Sequence, residues 1–284
     1  MISSAGMSAL VCTVAKTMKG TGVQIRGLAS VLVALALLSA GCARISAPQV
    51  EEIPGQELST AHMLGIIESS YAHISLQALA EVRLRRGNDK QGSTQALHVQ
   101  SPYQLRAEVY NFIGQMMVML TANGAHLEAY VPSRNTLYRG MATRGRMERF
   151  AYVPLMPADM VALLLQRLPP GVLQLSQVKK GGRNILRFIV SAQQEYVVQF
   201  DAERVQRIMY LELGQEVFSI AYAPATPTGE GETIFPHHMS LVMPLQDMEL
   251  DIELEDVQLN SALEPDLFEI EERAGMETVS LEEL

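Results

Sequence analysis

The chain has 284 residues, 48% of them hydrophobic, and carries 31 acidic against 22 basic side chains for a net charge of −9. That length and apolar content suffice for one sizeable core, while the acidic balance, with no basic stripe, argues against a nucleic-acid partner. The sequence holds no G-x-S-x-G elbow, no H-E-x-x-H and no phosphate-binding glycine loop, so neither an enzyme nor a cofactor is expected.

The first element is an apolar run, Leu28 to Ala40, preceded by Lys16, Lys19 and Arg26 and followed by Arg44 and Pro48. As a helix its thirteen residues would reach ~20 Å, short of the ~30 Å hydrocarbon core. Basic residues before a short apolar stretch are the plan of a secretory signal peptide, residues 1–41, and not of a membrane span. The start lies at Met1 with a long basic region or at Met18, and both remain open. Ser39-Ala40-Gly41-Cys42 resembles the bacterial lipobox, although a leucine is commoner where Ser39 stands. The resemblance implies cleavage before Cys42, acylation of that residue (palmitate and related chains) and, with Ala43 following, residence in the outer membrane. The alternative is an ordinary signal peptide with a chance cysteine.

Cys42 would be the only cysteine of the mature chain, since Cys12 lies in the leader. No intramolecular disulfide or cysteine zinc cluster is then possible. The leader holds three bases and no acid, so the mature chain carries nineteen basic against thirty-one acidic residues, a net −12. Fourteen of the acids fall in residues 247–284; a solvated strand face and tail explain them better than a docking site for a basic partner. Residues 42–58 read as a lipidated, polar, proline-containing tether that would span roughly 20 Å as a coil.

The folded body is expected over 59–284. A helix is predicted from Thr60 to Tyr71, where Met63, Leu64, Ile66, Ile67 and Tyr71 recur at helical spacing behind a Ser59 or Thr60 cap. The period then changes to two, with Leu76, Ala78, Ala80, Val82 and Leu84 alternating with Arg83 and Arg85. Further strands are predicted over 96–100, 105–110, 116–121, 126–131 and 137–139, with Asn123-Gly124 as a hairpin turn. Helices follow at 141–150 and at Pro157 to Leu168, the second apolar nearly all round and therefore buried. Strands resume over 172–178, 185–191, 195–201, 205–211, 217–222 and 236–243, with a turn at Gly181-Gly182 and a Pro/Gly-rich loop over 223–232. In the last strand, 248–259, the apolar set changes parity near Glu255-Asp256, which requires a bulge. The pattern is mainly β (α+β): about eleven antiparallel strands in a curled sheet, an N-terminal helix and a helical insertion midway.

Three stretches carry a resemblance to a known family. They are residues 75–140, from "SLQALAEVRLRR" through "YNFIGQ" to "LYRG"; residues 156–169, "MPADMVALLLQRLP"; and residues 257–279, "VQLNSALEPDLFEIEERAGMETV". Together they resemble the LolA/LolB lipoprotein-carrier superfamily over roughly 60–280. The resemblance implies an unclosed, strongly curved antiparallel half-barrel with helices as a lid, and Leu267-Phe268 as a closing pair. A lipidated member is more similar to LolB, the outer-membrane acceptor, than to soluble LolA. The chain departs from LolB in having no tryptophan and a longer acidic end.

The resemblance also implies a function: a periplasm-facing lipoprotein that binds acyl chains in an apolar cavity and acts in lipoprotein reception and insertion or in lipid handling. Its partners would be the membrane through Cys42, the acyl chains, and a soluble periplasmic carrier. The alternative is a non-catalytic assembly scaffold, or a lipid or lipoprotein sensor, on the same fold. Phe112, Ile113 and Gly114 match the family's membrane or cargo loop, and apolar loop tips often mark such contacts. Among the thirteen methionines of the mature chain, Met117, Met119 and Met160, together with Leu164, are the cavity or lid candidates, since methionine fills adaptable apolar space. The family holds its lid with a strand arginine; Arg83, Arg85 and Arg106 are the strand arginines here, and a solvated face is the simpler reading for each. His237-His238 point to opposite faces of a strand and make poor joint metal ligands.

Overall fold

The structure is a computed structural model that describes residues 57–201, 204–225 and 235–283. The chain divides into two units, residues 1–46 and 47–284. The first unit, with the expected signal peptide and Cys42, lies outside the described residues, as do most of the tether and of the 223–232 loop.

Helix α1 (Thr60–Ser70) begins at Ser59, whose hydroxyl accepts from the amide of His62, and its buried Met63 and Ile67 lie on one face. Six strands follow: β1 (Ser75–Arg86), β2 (Asp89–Gln100), β3 (Gln104–Tyr110), β4 (Met116–Asn123), β5 (His126–Val131) and β6 (Thr136–Met141). Helices α2 (Arg144–Ala151), α3 (Pro157–Leu164) and α4 (Val172–Leu175) form the insertion. Seven more strands are β7 (Gln177–Gly182), β8 (Ile185–Ile189), β9 (Gln194–Asp201), β10 (Arg204–Glu212), β11 (Gln215–Tyr222), β12 (His238–Met243) and β13 (Met248–Leu259). A short β14 (Glu277–Ser280) follows, and then a 3-10 turn at Leu281–Glu283.

All fourteen strands belong to one sheet, ordered β14-β6-β5-β4-β3-β2-β1-β13-β12-β11-β10-β9-β8-β7. The two halves are meanders that meet where β13 returns to pair antiparallel with β1. The outermost strands, β14 and β7, are not joined, so the sheet stays open. Every pairing is antiparallel except β14 on β6. Buried residues alternate along the strands, as in Ala78-Ala80-Val82, Leu105-Ala107 and Leu127-Ala129, and turn one face to the core. Alanines at 78, 80, 107, 122 and 129 keep that concave face shallow enough for α3 to approach β2 and β3.

The other face of β3 to β6 is covered by the C-terminal segment. Arg106 donates to the Leu267 carbonyl at 3.0 Å, the Ile270 amide donates to Glu128 at 2.7 Å, and Arg139 donates to the Ile270 carbonyl at 2.8 Å. Phe268 and Ile270 are buried beneath it. Gly140 makes the final closure possible, because a Cβ there would stand 2.7 Å from the Leu281 Cβ.

The fold class follows the sequence pattern, with fourteen strands where about eleven were expected. The bulge in β13 is present: Gln77 pairs with Gln258 but Leu79 with Glu255, and Asp256 takes φ 51°. Three expectations are corrected. The lid helix ends at Leu164 and not Leu168, because Gln166 adopts φ 58° and the Arg167 amide reaches back to the Ala162 carbonyl at 2.7 Å, closing a Schellman motif. Residues 172–175 form a helical turn and not the start of a strand, since Gly171 at φ 85° redirects the chain after Pro169-Pro170. The following hairpin turns at Arg183-Asn184 and not at Gly181-Gly182, with Asn184 at φ 55°.

Candidate functional site

Between the concave face and the insertion lies a cavity of about 790 Å³, within the ~300–1,000 Å³ range of small-molecule sites. Its floor is aliphatic, with Val82, Leu97, Leu105, Leu120, Leu250 and Ile252 from five neighbouring strands. Its roof comes from the insertion, with Val153, Leu155, Met160, Leu163 and Leu164. The rim is polar and mixed, with Gln91, Asn111, Ser133, Arg134, Arg149 and Tyr152. These rim residues come from the hairpin ends of β1-β2, β3-β4 and β5-β6 and from α2 and its C-terminal cap, so the mouth opens at one end of the sheet.

The β3-β4 loop stands at that mouth. Phe112 is 95% exposed and Ile113 69%, while their flanking residues Asn111 and Met117 line the cavity. The loop is built to hold these side chains out. The Asn111 side-chain oxygen accepts from the amides of Ile113 (3.1 Å) and Gln115 (3.0 Å), and the Asn111 carbonyl accepts from Gly114 at 2.9 Å. Gly114 takes φ 75°, a conformation open to glycine, and an added Cβ there would meet no atom within 4 Å.

Met117, Met160 and Leu164 line the cavity. Met119 is not among its lining residues: Val118 and Leu120 are, and strand alternation turns Met119 to the other face, where it sits between Glu108 and Tyr130 in the register. The strand arginines lie elsewhere. Arg83 pairs with Glu253 and Arg85 with Glu249 on an exposed face, and Arg106 pairs with Glu108 beneath the C-terminal segment. His238 stands 3.7 Å from Asp251 and His237 Nδ1 lies 3.2 Å from the Leu254 carbonyl oxygen; among the described residues no group of acid, His or Cys side chains could hold a metal.

Two contacts that periodicity could not reveal hold the insertion down. Arg167, 7% exposed, donates to the Ser101 hydroxyl at 2.5 Å and to the Tyr71 carbonyl, and its guanidinium lies 4.8 Å from the centre of the Tyr71 ring. Burial pushes its pKa down. The Tyr222 hydroxyl, enclosed by core, donates to the Leu163 carbonyl at 2.7 Å, and burial pushes its pKa up. The only sequence signal was an arginine and a tyrosine inside otherwise apolar stretches.

No family model matches the chain, and no curated protein matches its sequence. Solved structures do. A DUF1329 family protein from Desulfovibrio piger is 11% identical with a TM-score of 0.52, covering 75% of this chain and 98% of its own. The LolA superfamily protein NE2245 from Nitrosomonas europaea is 10% identical with a TM-score of 0.49, covering 75% of this chain and 98% of its own. The likeness to the first shows a shared fold. An open, curved antiparallel sheet with apolar helices against its concave face is the architecture that the resemblance in sequence implied.

Proposed function

We propose that this protein is a lipid-anchored envelope protein that shelters acyl chains of lipoproteins or lipids in its cavity and passes them to a membrane. The observation that carries this reading is the apolar cavity opening beside an exposed, pre-shaped Phe112-Ile113 tip. The signal peptide of residues 1–41 is removed, Cys42 is acylated, and the tether of residues 42–58 holds the body at the periplasmic side of the outer membrane. Cargo arrives from a soluble periplasmic carrier. The mechanism is non-covalent: acyl chains enter under α3, and Phe112 and Ile113 engage the leaflet. Apolar burial drives the binding, at ~25 cal/mol per Å² before the cost of ordering the chains.

Native mass spectrometry of the mature chain, purified from envelope extract, tests the cavity. A co-purifying acylated molecule is expected, and it is lost in both Leu164→Asp, which charges the roof, and Val109→Trp, which fills space beside another lining residue, on β3. A folded protein that is empty, and that also takes no acylated peptide, would refute the reading. Transfer to vesicles tests the tip: Phe112→Ser with Ile113→Ser should retain binding and lose delivery. Retained delivery would favour the scaffold or sensor on the same fold.

A further inference from the structure

The charge around the cavity is opposite to that of the chain. The protein is net acidic, with 31 acids against 22 bases, yet among the described residues no aspartate or glutamate lines the cavity. Among the described residues its only charged lining side chains are Arg134 and Arg149. Most other arginines are neutralised at short range: Arg83, Arg85, Arg86, Arg106, Arg139, Arg146, Arg187 and Arg204 each have a carboxylate partner. The two at the mouth have none among the described residues. Arg134 makes one long hydrogen bond, to the Tyr138 hydroxyl at 3.4 Å, and Arg149 makes neither a hydrogen bond nor an ion pair.

The two arginines also belong to one place. Tyr138 and Phe150 pack ring to ring with centroids 5.3 Å apart, and both line the cavity. Arg134 donates to the Tyr138 hydroxyl at 3.4 Å, and Arg149, one residue before Phe150, lines the same cavity. The remaining rim is uncharged, with Gln91, Ser93, Gln95 and Ser133. An aliphatic interior below a mouth of two unneutralised guanidinium groups suits a molecule with the same two parts.

We infer that the cavity takes amphiphiles with an anionic head, phosphate or carboxylate, seated against Arg134 and Arg149 while the acyl chain lies beneath α3. This rests on the acyl-binding reading above and adds the class of ligand to it. Arginine suits the task because its planar donor fork matches both oxyanions and stays charged at any working pH. A neutral glyceride or a zwitterionic head gains less from two positive charges and no acid.

The test uses the mature chain with Cys42→Ser, which keeps it out of micelles. A neutral fluorescent naphthylamine dye fills the cavity and is displaced by single-chain palmitoyl probes below their micelle concentrations. Palmitoyl lysophosphatidylglycerol should displace it about tenfold more strongly than monopalmitoylglycerol or palmitoyl lysophosphatidylcholine, as expected for one or two charge-assisted hydrogen bonds. In Arg134→Gln with Arg149→Gln that ratio should fall to about one. If this variant does not fold, the wild-type ratio must still shrink as salt is raised. Equal displacement by all three probes overturns the inference and leaves the acyl-binding reading standing; failure of the dye and of every probe to bind overturns that reading instead. Displacement by inorganic phosphate as strong as that by the anionic probe would make the cavity a site for a free anion and not for an amphiphile. An anionic preference seen only with phosphatidylglycerol-containing vesicles, and not with monomeric probes, would assign the arginines to the membrane surface. Either result refutes the proposal.

Discussion

Replacing Arg167 with alanine should loosen the insertion and destabilise the whole body. The side chain is buried without a carboxylate partner and is satisfied by the Ser101 hydroxyl and the Tyr71 carbonyl, with the Ser70 carbonyl more distant at 3.4 Å. Two good hydrogen bonds from a charged donor are together worth ~3–6 kcal/mol. Releasing an unpaired buried charge recovers part of that, since its desolvation costs several kcal/mol. A net loss of about 2–3 kcal/mol is expected, or ~4–12 °C in Tm for a domain of this size. Arg167→Lys should not rescue it, because an ammonium cannot reach both acceptors in the geometry of a planar fork. Urea melts supply the free energy, and amide exchange shows where the change falls. The protection of α3 and of the C-terminal turn of α1 should drop first, since Arg167 joins those two elements. A melt within 0.5 kcal/mol of wild type, or exchange that rises evenly over the sheet, would refute the argument that this arginine clamps the roof to the floor.

Tyr222→Phe removes the donor to the Leu163 carbonyl and leaves that carbonyl buried; a loss of ~1–2 kcal/mol is expected in the same melts, with the cavity more easily opened. Asn111→Ala deletes the side-chain acceptor that shapes the β3-β4 loop, so acyl transfer to vesicles should fall several-fold while Tm moves by less than ~2 °C; an unchanged transfer rate would mean that the loop needs no pre-shaping. Burial holds His73 and His98 below their ordinary pKa, with Arg167 and Arg106 respectively adding to the effect. Each therefore protonates in the folded protein at a lower pH than in the unfolded chain. Their contribution to stability is present above the unfolded histidine pKa of ~6.5 and is lost as pH falls through the depressed folded values. Chemical melts from pH 7.5 to 5 should show stability falling, and His73→Gln with His98→Gln should flatten that slope. A slope unchanged in the double variant would assign the acid sensitivity to other groups.

Much of the architecture was legible in the sequence because strands with one buried face write their pairing into a period of two. The β13 bulge was visible for the same reason: Leu254 and Val257 cannot share a face without an extra residue between them. The cavity loop was legible as an apolar pair in a turn, and Met117, Met160 and Leu164 as apolar side chains near it. Met119 misled because alternation alone does not say which parity faces inward where a register shift between Val109 and Tyr110 resets β4 against β3. The polar first half of β2, residues 89–95, carried no strand signal, and pairing along the whole of β1 imposed the strand regardless.

By itself, then, the amino-acid sequence determined the short apolar run behind basic residues, the acidic balance, the alternating strands, the apolar helix of the insertion and the apolar pair in the β3-β4 loop, since each is set by side chains within a few residues of one another. Tertiary structure alone decided that the sheet stays open, that its concave face and the helical insertion enclose a cavity rather than a filled core, and that Arg134 and Arg149 line that cavity while Arg167 is buried. Those outcomes depend on contacts between residues far apart in the chain, such as Leu76 with Leu259 and Arg167 with Ser101. A charge gains its meaning there from the presence or absence of an opposite charge and of water, neither of which is encoded locally.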